Sequence, residues 1–142
     1  VHKKLIDDGV FHRIYIVGDG PLKELLQDKI HKLQVDDTFV LLGQKENPYP
    51  YIKKADYFLL ASYYEGYPMV LLEAKVLNKR ILITDSAARE VLLNYSEGTV
   101  VANSEEGIYN GIKVLLTSKK KTEKIPFSNQ DILEEVKELL GD

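Results

Sequence analysis

Two carboxylates eight positions apart, Glu65 and Glu73, bracket the expected start of a helix in Glu65-Gly66-Tyr67-Pro68-Met69-Val70-Leu71-Leu72-Glu73-Ala74. Pro68 suits the first helical position, where its missing N–H would have gone unpaired in any case. Glu65, Gly66 and Tyr67 then form the lead-in loop, and Glu73 sits in the second turn of a helix reaching Asn78. Met69, Val70, Val76 and Leu77 surround Glu73 at helical spacing, so its carboxylate is expected among apolar side chains and needs a partner. That partner is either a protein group or the hydroxyl of an arriving ligand.

The chemistry suits a polyol carrying phosphate. Hydroxyls would bond Glu65, and a phosphate would meet the free backbone N–H groups and positive end of the helix. Glu73, about 12 Å away if the whole span were helical, could hold a second set of hydroxyls. A nucleotide sugar, with a hexose and a ribose flanking a diphosphate, has this shape.

The elements that must hold these residues follow from hydrophobic patterning. Continuous apolar, β-branched runs at Arg13 to Val17, Thr38 to Leu42, Asp56 to Ala61, Arg80 to Thr84 and Gly98 to Ala102 predict five strands. Such runs indicate strands covered on both faces by crossover helices, hence a parallel sheet. Helices are expected at Pro21 to Leu33, near Tyr49 to Lys54, at Pro68 to Asn78, near Ala88 to Asn94 and at Ser104 to Thr117, and a helix end at Leu5 to Gly9. Leu22, Leu25, Leu26, Ile30 and Leu33 predict one buried stripe, and Ile108, Ile112, Leu115 and Leu116 another. Ser104 is a good N-cap, followed by Glu105 and Glu106 at the positive helix end. The fold class is therefore α/β, a Rossmann-like, doubly wound parallel sheet.

In such a sheet the ligand crevice lies at the carboxyl ends of the strands. The residues there are Gly18-Asp19-Gly20-Pro21, then Gly43-Gln44-Lys45-Glu46-Asn47-Pro48-Tyr49, then Ser62 to Tyr67, then Asp85-Ser86-Ala87-Ala88-Arg89-Glu90. Gly18 and Gly20 permit close backbone approach to an anion, or simply make a tight turn. Lys23 stands where a dinucleotide fingerprint would place its third glycine.

Composition narrows the classes. The 142 residues are the size of one domain, and the net charge of -3 gives no broad attraction to nucleic acid. No apolar run approaches the roughly 20 residues of a membrane span. With no cysteine there are no disulfides and no thiol chemistry. His2, His12 and His31 are scattered, show no metal-ligand spacing and are expected to be solvated or incidental, with no metal role.

Taken in order, four motifs resemble the C-terminal, donor-binding half of retaining GT-B glycosyltransferases of family 4, the group 1 enzymes, and among them those building capsular and other surface polysaccharides. The motifs are Glu65 to Ala74, the preceding Ala55 to Ser62, the Gly18 to Pro21 turn, and Gly43 to Ile52; the similarity runs from about Phe11 to Leu116.

The resemblance implies that Glu65 is the catalytic contact, with Gly66, Tyr67, Pro68, Met69 and Val70 binding donor sugar and diphosphate. It implies ribose binding by Glu73 and a nucleobase loop of Gly43, Gln44 and Lys45. Gly18, Gly20 and Glu90 are further candidates, although Ser86-Ala87-Ala88-Arg89 stands where the family often has glycines.

The implied reaction moves a hexose or N-acetylhexosamine, with retention, from a UDP-linked or other nucleotide diphosphate sugar to a growing surface glycan. No metal and no separate cofactor are implied. Other readings on the same fold are a nucleotide-sugar epimerase, a phosphorylase, or a noncatalytic nucleotide- or partner-binding module.

By the same resemblance, the first strand of the sheet, the phosphate-neutralising Arg and Lys, and the N-terminal domain that binds the glycan acceptor are expected before Val1. The chain is then a fragment, inactive alone. Residues 1–118 are expected to form the nucleotide-sugar-binding domain, 119–129 a basic linker and 130–142 an amphipathic helix. The linker reads as a solvated connector or as a contact with an anionic lipid surface. Cytoplasmic placement follows, with at most peripheral association at the inner face of the membrane.

Overall fold

Short aliphatic runs alternate with helices along the whole of the computed structural model, which describes residues 1–62 and 69–118. The order is α1 His2–Asp7, β1 Ile14–Val17, α2 Lys23–Lys32, β2 Phe39–Gly43, α3 Tyr49–Lys54, β3 Tyr57–Leu60, α4 Met69–Val76 and β4 Arg80–Thr84. A 3-10 helix Ala87–Leu92, β5 Gly98–Val101 and α5 Glu105–Thr117 follow.

Among the described residues all strand pairings are parallel, but they fall into two ladders rather than one sheet. β1 pairs with β2, and β4 lies between β3 and β5. A doubly wound sheet has the order three-two-one-four-five-six. With β1 to β5 taken as its second to sixth strands, the observed pairings are that order with the central strand left out. The pairings are those of the expected sheet without its first strand.

Among the described residues only β4 is covered on both faces. Ile81, Leu82 and Ile83 are fully buried; Ile81 and Ile83 pack with Ile52, Leu71, Ala74, Ala88, Val91 and Leu92, while Leu82 lies on the other face beside Gly111 of α5. The other four strands are half-covered, contrary to the expectation drawn from their apolar runs. The stripe expected on α2 is also corrected: Ile30 is buried, but Leu22 and Leu25 are each 67% exposed. Beside a two-stranded ladder, α2 has too little apolar surface opposite its first turn to bury them. On α5 the expectation holds, with Ile112 and Leu115 buried.

Helix ends are set by local chemistry. Gly9, Gln34 and Asn78 have left-handed φ of 83°, 56° and 54°. At each of them two backbone bonds close the helix end, as in Asn78 N–H to Lys75 O at 2.9 Å and Lys79 N–H to Ala74 O at 3.0 Å. Asn78 therefore ends α4 where the sequence placed its end. At the other end of α5, Ser104 Oγ accepts from Gly107 N–H at 3.0 Å.

The histidine reading is partly overturned. His2 is 7% exposed, with its ring against His12 and Phe39, and it bonds His12 and Thr38. His31 is exposed, with Nδ1 at 3.3 Å from Asp36. His2 ties α1 to β2, while the Tyr109 hydroxyl donates to Asp8 at 2.6 Å and ties α5 to the end of α1.

Candidate functional site

The carboxyl ends of the strands gather most of the described residues chosen from the sequence. At β1 and β2, Gly18 N–H donates to Gly43 O at 2.8 Å, and the two residues adopt φ of 139° and 74°. These positive values are the reason for glycine at both positions. Gly20 N–H donates to Asp19 Oδ1 at 2.8 Å, and Gly20 O accepts from Lys23 N–H, so this glycine shapes the turn into α2. A Cβ placed on Gly43 would lie 3.9 Å from Lys23 Nζ. The ammonium thus stands over the same strand ends, 3.9 Å from Asp19 Oδ1.

Gln44 and Lys45 leave β2 beside Gly43, and Lys45 Nζ lies 5.8 Å from the Tyr51 ring centroid. Asn47 Oδ1 accepts from Tyr49 N–H at 3.1 Å and leads the chain into α3.

α4 carries Met69, Val70 and Glu73. Met69 is 66% exposed at the start of the helix, whereas Val70 packs against the core. Glu73 is the unusual residue: its Oε2 is out of solvent and has no hydrogen-bond partner among the described residues. Buried carboxylate oxygens are normally bonded, because water lost on burial must be replaced. Glu65, Gly66, Tyr67 and Pro68 lie outside the described residues.

Beyond β4, Ser86 Oγ accepts from Ala88 N–H and caps the 3-10 helix that carries Glu90. Lys75 Nζ donates to Val91 O at 2.7 Å, binding α4 to that helix. Arg89 is held by Asp85 at 3.0 Å. Arg80 lies at the opposite, amino end of β4, where it bonds Leu115 O and Ser118 and faces Glu97. Lys75, Arg80 and Arg89 therefore each hold a protein group.

Sequence reasoning passed over Thr84 and Asn103. Thr84 Oγ1 both donates to Ser62 O and accepts from Ser62 N–H, each at 2.9 Å, and Asn103 Nδ2 donates to the same carbonyl at 3.1 Å. The available signal was the single polar residue closing Arg80-Ile81-Leu82-Ile83-Thr84. A separate cavity of about 400 Å³ lies between β5 and α5, lined by Arg80, Thr99, Gly107, Asn110 and Val114 among others. None of the candidate site residues lines it, so it is set apart from the strand-end site.

The family profile described as glycosyl transferases group 1 matches residues 7–127. An N-acetylgalactosaminyltransferase of Campylobacter jejuni, acting on N-acetylgalactosamine-N,N'-diacetylbacillosaminyl-diphospho-undecaprenol, is 33% identical over 111 residues, covering 76% of this chain and 30% of the relative. An Escherichia coli UDP-Gal:alpha-D-GlcNAc-diphosphoundecaprenol alpha-1,3-galactosyltransferase is 37% identical over 79 residues, 53% of this chain and 19% of the relative. The chain thus spans less than a third of the length of these curated relatives.

Among solved structures, HepE of Anabaena in complex with UDP superposes with a TM-score of 0.68 at 20% identity, over 98% of this chain and 44% of that one. The lipopolysaccharide outer core galactosyltransferase WaaB in its apo form gives 0.68 at 21% identity, over 84% and 37%. These likenesses establish the GT-B type of α/β fold.

Proposed function

The chain belongs to the glycosyl transferases of group 1, and from that membership we propose that it is the donor-binding half of a retaining glycosyltransferase that builds a surface glycan. The donor is a nucleotide diphosphate sugar, UDP-linked, carrying a hexose or N-acetylhexosamine. The observation that carries this reading is Glu73, whose buried Oε2 has no partner among the described residues and stands eight positions after Glu65. A ribose hydroxyl supplies the missing donor. UDP in the superposed HepE structure and the UDP-Gal named for the E. coli relative support the choice of nucleotide. The family match does not favour an epimerase, a phosphorylase or a docking module.

In this reading Glu65, with Gly66, Tyr67, Pro68, Met69 and Val70, contacts the donor sugar and diphosphate. Gly43, Gln44 and Lys45 border the base. Gly18, Gly20 and Glu90 line the wider crevice. Catalysis rests on positioning and on stabilising the departing diphosphate, and calls for neither metal nor separate cofactor.

Residues 1–118 make the donor domain, the linker 119–129 and amphipathic helix 130–142 expected from the sequence lie outside the described residues, and a separate N-terminal domain binds the glycan acceptor. Among the described residues no helix is long and apolar enough to cross a membrane. A cytoplasmic enzyme at the inner face of the membrane, meeting a lipid-linked acceptor there, fits this arrangement.

Calorimetric titration with UDP tests the reading. Saturable binding lost in Glu73→Ala, with the fold intact, is expected; no binding by the unaltered chain overturns it.

A further inference from the structure

Leu22 and Leu25 are each 67% exposed at the start of α2, and Leu33 at its end is 39% exposed. Successive side chains on an α-helix advance by about 100°. On that spacing Leu22, Leu25, Lys29, Lys32 and Leu33 share a strip about 100° wide, while buried Ile30 and half-buried Leu26 lie to one side of it, toward the core. Asp28 borders the strip beside Lys32, and Glu24 lies further round, so the acidic side chains of α2 stand outside it. Lys29 and Lys32 are exposed, and among the described residues neither ammonium is held in an ion pair.

Single exposed leucines are ordinary, but three on one helix face make a contiguous apolar strip, which marks an interaction surface. The lysines choose the partner. The buried centres of protein interfaces are depleted in lysine, whereas a bilayer surface welcomes it: apolar side chains enter the boundary between headgroups and acyl chains, and the ammonium groups reach lipid phosphates on flexible stems. With a net charge of -3 on the whole chain, the attraction belongs to this face alone.

We propose that the leucine and lysine face of α2 lies on an anionic phospholipid surface, with Leu22 and Leu25 in the headgroup boundary and Lys29 and Lys32 against phosphates. The contact is read from α2 itself, and its functional sense rests on the donor-binding reading above. α2 starts directly after Gly18 to Pro21, so the two leading leucines stand at the carboxyl end of β1, the end where the donor crevice lies. Seating them on lipid sets that crevice beside the plane in which a lipid-linked acceptor is presented.

Cosedimentation of the 142-residue chain with vesicles tests this, using phosphatidylcholine alone and phosphatidylcholine with about one-third phosphatidylglycerol. Binding to the anionic vesicles, weakened by salt, is expected. Leu22→Gln with Leu25→Gln should weaken it about tenfold or more, and Lys29→Gln with Lys32→Gln about fivefold for each lysine removed. Both changes are at exposed positions and keep good helix formers, so the melting midpoint and the dissociation constant for UDP should not move.

No binding to anionic vesicles overturns the inference, and with UDP binding intact the donor reading stands. Vesicle binding that survives the leucine change and is lost in Lys119→Gln with Lys120→Gln and Lys121→Gln overturns it too, by placing the contact on the basic run after α5. A concentration-dependent dimer in size-exclusion chromatography that the leucine change abolishes gives the strip to a second copy of the chain and likewise overturns it. Vesicle binding that depends on the leucines, from a chain that binds no UDP, supports the lipid contact and overturns the donor reading alone.

Discussion

His2 Nδ1 lies 2.8 Å from His12 Nε2, with the rings edge to face at 83°. The contact belongs to a line running from Val10 O through His12, His2 and Thr38 to Val35 O. Both ends are carbonyl acceptors, so the neutral groups bring three protons to four contacts. The Thr38 to Val35 contact is the longest at 3.4 Å. It is the one to go without if Thr38 donates to His2, His2 to His12, and His12 to Val10.

Burial first, then the charge of His12 and the amino group of Val1, lower the His2 pKa from 6.5 to about 4. The unfolded chain then binds more protons between these values, so stability is complete above pH 6.5 and falls as the pH drops toward 4. The loss amounts to about 1–3 kcal/mol. Urea unfolding between pH 7.5 and 4.5 should show it, and His2→Gln should flatten the slope.

Glu73 sets ligand binding against stability. Glu73→Gln keeps the shape and removes a charge whose Oε2 has no partner among the described residues. Thermal unfolding of the free protein is expected to be unchanged or higher. Binding of UDP should weaken about 10- to 100-fold, the value of a charge-assisted hydrogen bond of about 1.5–3 kcal/mol. Calorimetry beside a melting curve reads both, and equal weakening of stability and binding would argue for a structural Glu.

Gly107 and Gly111 let α5 lie close to β5. A Cβ on Gly107 would come within 2.4 Å of Ala102 O, which is backbone, whereas one on Gly111 would meet the Leu82 and Val101 side chains at 2.7 Å. Alanine gains about 1 kcal/mol of helix propensity at either position. Overpacking costs about 1–3 kcal/mol, and side chains yield more readily than backbone. Gly107→Ala is expected to lower the melting midpoint clearly and Gly111→Ala by less, in a direct comparison of the two curves.

Gln44 and Lys45 leave β2 beside the positive-φ Gly43. If they border the base, Gln44→Ala and Lys45→Ala should change the ratio of UDP to GDP affinity by about threefold or more, the scale of a modest hydrogen bond. Competition titrations with the two nucleotides measure that ratio. Equal losses for both would assign these residues to the phosphates instead.

Arg80 to Thr84 as a strand and Tyr49 to Lys54 as a helix were legible to the residue, because β-branched runs and a proline near a helix start are local signals. So was the cap at Ser104, whose hydroxyl meets an N–H three residues on. Burial was less legible, since Leu22 and Leu25 have the spacing of a buried face but no layer to cover them. His2 misled for a related reason: its partners, His12 and Thr38, are ten and thirty-six positions away, and no window of sequence joins them. Thr84 was passed over because its partner is a backbone group, which every residue carries.

The division of the strands into two ladders bears on how the molecule comes apart. His2 fastens α1 to the β1–β2 pair, and α5 lies on β4 and β5. The Tyr109 to Asp8 bond fastens those halves to one another near the surface. No backbone rung crosses between the ladders among the described residues. Opening therefore need not be all-or-none, and amide protection is expected to sort into two sets, one of which can open while the other stays closed.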